Sequence, residues 1–181
     1  MSSPRVPPPA KLVASILGNA DENILKAGEQ LEKEFGPADF VSDVGPFEWT
    51  DYYSSEMGAP LVRRFFSFDR LVQADRLPEI KWLTNDLEQA LSLSGRRTVN
   101  IDPGLLTQGS LVLATGKERA HRIYLGRSIF ADLTLMYQSK SYHPLPWTYP
   151  DYAREEVITY MNRIRRTYGQ QLKALRTVSE S

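Results

Sequence analysis

The chain contains no cysteine, so it forms no disulfide, no thiolate zinc site and no catalytic thiol. It has two histidines, His121 and His143, too few for a multi-histidine metal centre. No apolar stretch approaches the ~20 residues that span a bilayer. Neither sign of charge is in excess. The 22 Lys and Arg balance 22 Asp and Glu, which removes the field that non-specific nucleic-acid and anionic-membrane binders depend on. DNA, RNA and membrane are therefore not expected partners, and any anion site must be local. Also missing are a Gly-rich phosphate loop ending in Lys-Ser or Lys-Thr, GxGxxG, HExxH and GxSxG. The Pro-rich stretch Met1 to Pro9 has no apolar centre and reads as a flexible leader, not a signal peptide or anchor. For a cysteine-free chain the cytoplasm is the simplest expected location.

What is present has the balance of a globular protein: 41% hydrophobic and 24% charged residues, enough to build a core. The 181 residues carry no repeat and no change of composition, so residues 1–181 are expected to form a single domain, with 177–181 frayed. Leu12 to Leu17, closed by Gly18, is too short for a helix and reads as a buried strand. Asn19 and Glu22 resemble a capping box. Ile24, Gly28, Leu31 and Phe35 then recur at helical spacing until Gly36-Pro37. Phe40 and Val44, then Phe47 and Trp49, alternate as in a strand interrupted at Gly45-Pro46, where a bulge or edge is expected. Leu61 to Val72 reads as a third strand. Asp75 and Pro78 open a second helix with Leu77, Ile80, Leu83 or Thr84, Leu87 and Leu91 on one face. Thr98 to Asp102 is a fourth strand, ended by a Pro103-Gly104 turn.

This order, β-α-β-β-α-β, is that of a ferredoxin-like split unit in an α+β protein with an antiparallel sheet. The run Leu111 to Ala114 is ambiguous between strand and helical turn. His121 to Leu125 and Ile129 to Tyr137 read as an added C-terminal hairpin around Gly126, with Ile129, Ala131, Leu133, Leu135 and Tyr137 on one face. Tyr142 to Tyr152, with three prolines among its aromatics, reads as an extended strap, its His143 exposed. Val157, Met161, Ile164, Tyr168, Leu172 and Leu175 mark a long terminal helix with a basic face of Arg163, Arg165 and Arg166.

Three groupings could carry chemistry. Asn100, Asp102, Lys117, Arg119, His121 and Arg122 bracket the segment between two predicted strands. They could hold a phosphate, with Asp102 on Mg²⁺ or as base, His121 as acid or base, and Lys117 and Arg122 on its oxygens. The plainer alternative is turn chemistry at Asp102, with His121 paired to a neighbour at the sheet edge. Asp51 to Gly58 sets Asp51 and Glu56 among tyrosines, where they could ligate a hard cation such as Mg²⁺; otherwise the loop is solvated with its tyrosines packed down. The doublets Arg63-Arg64 and Arg96-Arg97 each send one arginine to either side of a strand, so that Arg64 and Arg97 could share an anion, or each could pair with a cross-strand acid.

Five motifs carry a resemblance: FEWTDYY from Phe47 to Tyr53 with EMG at Glu56 to Gly58; VNIDPG from Val99 to Gly104; LVLAT from Leu111 to Thr115; HRIYLG from His121 to Gly126; and PLPWTYPDY from Pro144 to Tyr152. In that order they are similar to the prokaryotic family called domain of unknown function 4416, across essentially the whole chain. Leu105 departs from the family, whose members more often have Tyr after the Asp-Pro-Gly step. The resemblance implies no established reaction. A label of GTP-linked regulator attached to some members finds no guanine-nucleotide signature here. Because the motifs coincide with the groupings above, the resemblance favours convergence of Asp51, Glu56, Asp102, Lys117, His121 and Arg122.

Three functions are thus expected in turn. The first is a cytoplasmic binding or regulatory domain for a phosphorylated small molecule or nucleotide. The second is a metal-assisted phosphoryl or nucleotidyl transfer enzyme. The third is a structural or partner-binding protein that uses the strap and the last helix.

Overall fold

Strand β1, Lys11–Gly18, is buried at every residue in the computed structural model, which describes residues 3–49 and 53–179. Its side chains alternate, so Leu12, Ala14 and Ile16 enter one hydrophobic cluster and Val13 another on the opposite face. A strand covered on both sides needs the near-continuous apolar run that this one has. β1 pairs antiparallel with β4 (Val62–Phe68) and with β5 (Val99–Leu106). Outward from this centre the order is β2-β4-β1-β5-β6-β8-β7, with β2 at Ala38–Val41, β6 at Ser110–Thr115, β7 at Ile123–Gly126 and β8 at Ile129–Gln138. Two further strands, β3 (Gly45–Pro46) and β9 (Ser141–Pro144), pair with β4 and β8. Every one of these pairings is antiparallel, as expected for the α+β class.

Helices α1 (Asp21–Phe35) and α3 (Leu77–Ala90) cover the first face, where Ile24, Leu31 and Phe35 meet Phe66, Phe68, Ile80 and Ile101. α1 comes so close to β4 that a Cβ on Gly28 would lie 2.6 Å from the Phe66 ring. The one-turn helix α2 (Ser54–Met57) brings Met57 onto Leu17 and Leu61. On the second face α4 (Glu155–Ser179) lays Val157, Met161, Ile164 and Tyr168 over Val13, Phe65, Leu106, Leu111 and Leu135. Each such apolar side chain contributes about 1.5–3 kcal/mol when fully buried. Lys11, wholly buried, is bonded to Asp39, and its Nζ donates to Gln171 Oε1 at 2.9 Å, tying α4 to the sheet.

The structure revises several local expectations. The capping box does not form: α1 starts after Ala20, whose carbonyl accepts from Asn23 and Ile24, while Asn19 turns to Met57. Gly45-Pro46 does lie at an edge, paired among the described residues only with Arg63 and Val62 of β4, but the bulge is displaced to between Ala38 and Phe40. The third strand ends at Phe68. The fourth runs through Pro103-Gly104 to Leu106 instead of turning there. The ambiguous run is a strand, β6. A register shift between Leu111 and Val112 puts Ile129 in the first core but Leu135 in the second, so β8 does not keep its apolar residues on one face. Part of the strap is a strand, β9, although His143 is exposed as expected. α4 continues to Ser179, and Leu175 on it is exposed. Its basic residues are not a plain solvated face. Arg163 stands 5.3 Å from the centre of the Phe40 ring and Arg165 3.4 Å from that of Tyr137.

Candidate functional site

β5 pairs with β1 along its whole length but with β6 only from Gly104 onward. Ahead of that point its edge lies open on the β6 side. The Ile101 N–H donates to Glu88 Oε1 at 2.7 Å, and Lys81 Nζ donates to the Ile101 carbonyl at 2.8 Å, so two side chains of α3 stand in for a neighbouring strand. By strand parity Pro103 faces the same edge, where its missing N–H leaves nothing to pair.

From this edge a chain of polar contacts runs outward. Arg97 Nη1 donates to Glu88 Oε2 at 2.9 Å and to Asn100 Oδ1 at 3.1 Å, and Nη2 donates to Glu56 Oε2 at 2.7 Å. Asn100 Nδ2 donates to Asp102 Oδ2 at 2.8 Å, and Lys81 Nζ stands 3.5 Å from Asp102 Oδ1. The Arg97 guanidinium also lies 5.7 Å from the centre of the Tyr53 ring. Glu56, Arg97, Asn100 and Asp102 are therefore joined in one network. Beside it opens a cleft of about 290 Å³ lined by Asn19, Glu56, Gly58, Arg96, Arg97 and Thr98, among others. Asn19 Nδ2 donates to the Met57 carbonyl at 3.0 Å and so fixes the α2 turn that forms one wall. Arg97 Nε is buried with no hydrogen-bond partner among the described residues. A larger, open depression of about 560 Å³ lies at the start of α4 and is lined by Arg154, Glu155, Glu156, Thr159 and Tyr160, where Glu156 already takes Arg154 and Tyr160.

His121 and Arg122 belong to a second network, centred on Asp132 of β8. Arg122 Nε donates to Asp132 Oδ2 at 2.8 Å, and His121 Nε2 lies 3.5 Å from the same oxygen. The His121 ring stacks on Trp147 at 5.2 Å, and Trp147 Nε1 donates to the Leu133 carbonyl at 2.8 Å. This cluster closes the gap on the edge of β8 between the segments paired with β7 and with β9. Lys117 meets it through its carbonyl, which accepts from Arg122 Nη1 at 2.8 Å. No hydrogen bond or ion pair among the described residues links Asp102 to His121 or Arg122. Arg64 lies apart from both networks, held by Asp21 at 2.6 and 2.7 Å and by the Ser42 carbonyl at 2.6 Å. Asp51 falls outside the described residues. Among those described, no group of three or more acidic or histidine side chains is arranged to hold a metal ion.

A model of the family described as a domain of unknown function (DUF4416) matches residues 8–168. The chain belongs to that family. No curated protein and no solved structure matches it. In this DUF4416 chain the matched span takes in both polar networks and ends within α4.

Electrostatics separates the groups of the first network. Burial raises the Glu88 carboxyl above the ordinary glutamate value, against the opposing pull of Lys81, the Ile101 N–H and Arg97. Burial works against charge on Arg97, but its bonds to Glu88 and Glu56 outweigh it and keep the guanidinium charged. Nearby, burial drives the Tyr152 hydroxyl far up, and the Asp102 charge adds to the effect. Sequence reasoning missed Lys81, Glu88, Asp132 and Tyr152. A signal for the first two was present, since Leu77, Lys81, Thr84 and Glu88 form an unbroken stripe on α3 and all are buried.

Proposed function

We propose that this DUF4416 chain is a binding or regulatory domain whose Arg97 cleft takes a phosphorylated small molecule, with nucleotides among the candidates. The observation that carries the reading is the pair Arg96 and Arg97 in the wall of one cleft, with Arg97 Nε lacking an acceptor among the described residues. Glu88, Asn100 and Glu56 already fix the guanidinium plane, so little side-chain freedom is lost when a phosphate oxygen approaches. Glu56, on the outer turn, is the group an incoming anion would displace. The volume lies near the lower end of small-ligand sites, which run from ~300 to ~1,000 Å³, and suits a compact ligand. A transfer enzyme finds less support, because His121 and Asp102 belong to separate networks. We also read the first half as a ferredoxin-like split unit, on the strength of the order β2-β4-β1-β5 with α1 and α3 on one face, and we take the domain to be cytoplasmic.

A ligand that binds only the folded state at a hundredfold its dissociation constant adds about 2.7 kcal/mol of stability. Inorganic phosphate and nucleoside mono-, di- and triphosphates, each with and without Mg²⁺, should therefore include at least one that raises the melting temperature of the wild type. Arg96 is exposed, its side chain makes no hydrogen bond or ion pair among the described residues, and its backbone bonds to Leu93 survive truncation, so Arg96→Ala should melt like the wild type alone and lose the ligand-induced rise. Absence of any shift at millimolar ligand refutes the reading.

A further inference from the structure

The two edges of the sheet are built differently. The β2 edge carries a bulge at Ala38–Phe40, an inward-turned Asp39 bonded to Lys11 and, in β3, Pro46. These are devices that stop an edge strand from pairing with another chain. The β7 edge has no proline and no inward charge. Its irregularity falls at Leu125 beside the Arg127-Ser128 turn, which leaves Ile123 and Tyr124 in regular register with Ala131 and Phe130. Among the described residues β7 pairs with β8 alone.

Among the described residues this edge also holds the longest run of consecutive exposed large apolar side chains. Ile123 is 70% exposed, Tyr124 60% and Leu125 40%. Ala131, opposite Ile123, itself pairs with Ala114 of the first core, so Ile123 projects on the α1/α3 face. There the exposed Trp82 reaches the same hairpin, its Nε1 donating to the Arg127 carbonyl at 2.9 Å. Tyr124 projects on the other face, 5.2 Å from the Phe130 ring. On that side stand the exposed Trp147 and Tyr149, tied to the start of the strand through His121 and Arg122. A helix laid on one face would cover half of this patch. A strand added beside β7 would cover both halves.

We propose that the β7 edge is a homodimer interface, in which β7 of one copy pairs antiparallel with β7 of a second across a twofold axis and the sheet continues through both. Two observations favour a second copy. First, a covered aromatic side chain buries ~150–250 Å², so the six exposed apolar residues offer on the order of 600 Å² per copy. The total, on the order of 1,200 Å², reaches the lower bound of a specific interface. Second, a pairing centred on Tyr124 sets Arg127 of one strand opposite the His121 end of the other, while Arg122 is already neutralised by Asp132. The self-complementary contact thus brings no two unpaired arginines of the strand together.

Sedimentation of the full chain at micromolar concentration should give a dimer. Ile123→Lys should raise the dimer dissociation constant by at least about tenfold, whereas Val41→Lys on the β2 edge should leave it unchanged. Because the chain has no cysteine, Tyr124→Cys, at the centre of the pairing, provides an independent readout: mild oxidation should cross-link it through residue 124, and Val41→Cys should stay uncross-linked. A wild type that stays monomeric across the micromolar range, or a dimer that survives Ile123→Lys with Tyr124→Cys uncross-linked, overturns the proposal.

Discussion

Glu88 is the residue on which most of the first network depends. One carboxylate oxygen accepts the Ile101 N–H and the other the Arg97 guanidinium, and the group is buried. Burial lifts its pKa above the ordinary 4.5. Between that ordinary value and the raised one the folded state holds a proton that the unfolded chain has released. Stability therefore falls as pH rises through this window, while below the ordinary value the contribution is fully present. Glu88→Gln keeps an acceptor for Ile101 and removes the titration. The stability advantage of wild type over this variant should accordingly shrink as pH rises above the ordinary value, as read by urea unfolding at a series of pH values. A difference that stays constant would mean that Glu88 is ionised in the fold throughout.

At the scale of elements, the closeness of β5 and β6 depends on Gly104. A Cβ there would lie 2.7 Å from Leu113 Cδ2 and 2.9 Å from the Val112 carbonyl oxygen, and the backbone atom cannot turn away. Gly104→Ala should cost about 1–3 kcal/mol of unfolding free energy, and a variant as stable as the wild type would show that β6 can shift freely. The same position explains why the element was misread. Pro-Gly is ordinary turn chemistry, and a one-dimensional pattern does not reveal that α3 supplies the bonds which the open edge of β5 needs. Periodicity did mark α1, α3 and α4, because each buries a stripe that repeats at helical spacing. It failed for β8, where one bulge exchanges the faces, and for Tyr142, whose strand β9 exists only because β8 extends beyond β7. Among the site residues, Glu56, Arg97, Asn100 and Asp102 were visible as polar groups beside strands. Their meeting, and the departure of His121 to Asp132, are set by which strands lie side by side, and that is non-local.

For the molecule as a whole the decisive layer is the last one. α1 and α3 close the first face. Much of the second face, with Val13, Phe65, Leu106, Leu111 and Leu135, is closed by α4, which is contributed by the final stretch of the chain. If α4 belongs to the same cooperative unit as the sheet, a cavity beneath it should lower the stability of the entire fold. Met161 is wholly buried in that layer, whereas Leu175, about four turns further on, is half exposed. Met161→Ala should thus cost about 2–5 kcal/mol, and Leu175→Ala less than about 0.5 kcal/mol. Both costs should appear as one shifted transition when followed by tryptophan fluorescence and by far-ultraviolet circular dichroism. If Met161→Ala instead splits the unfolding curve, with helical signal lost first and the fluorescence transition unmoved, α4 docks as a separate unit and the sheet stands without it.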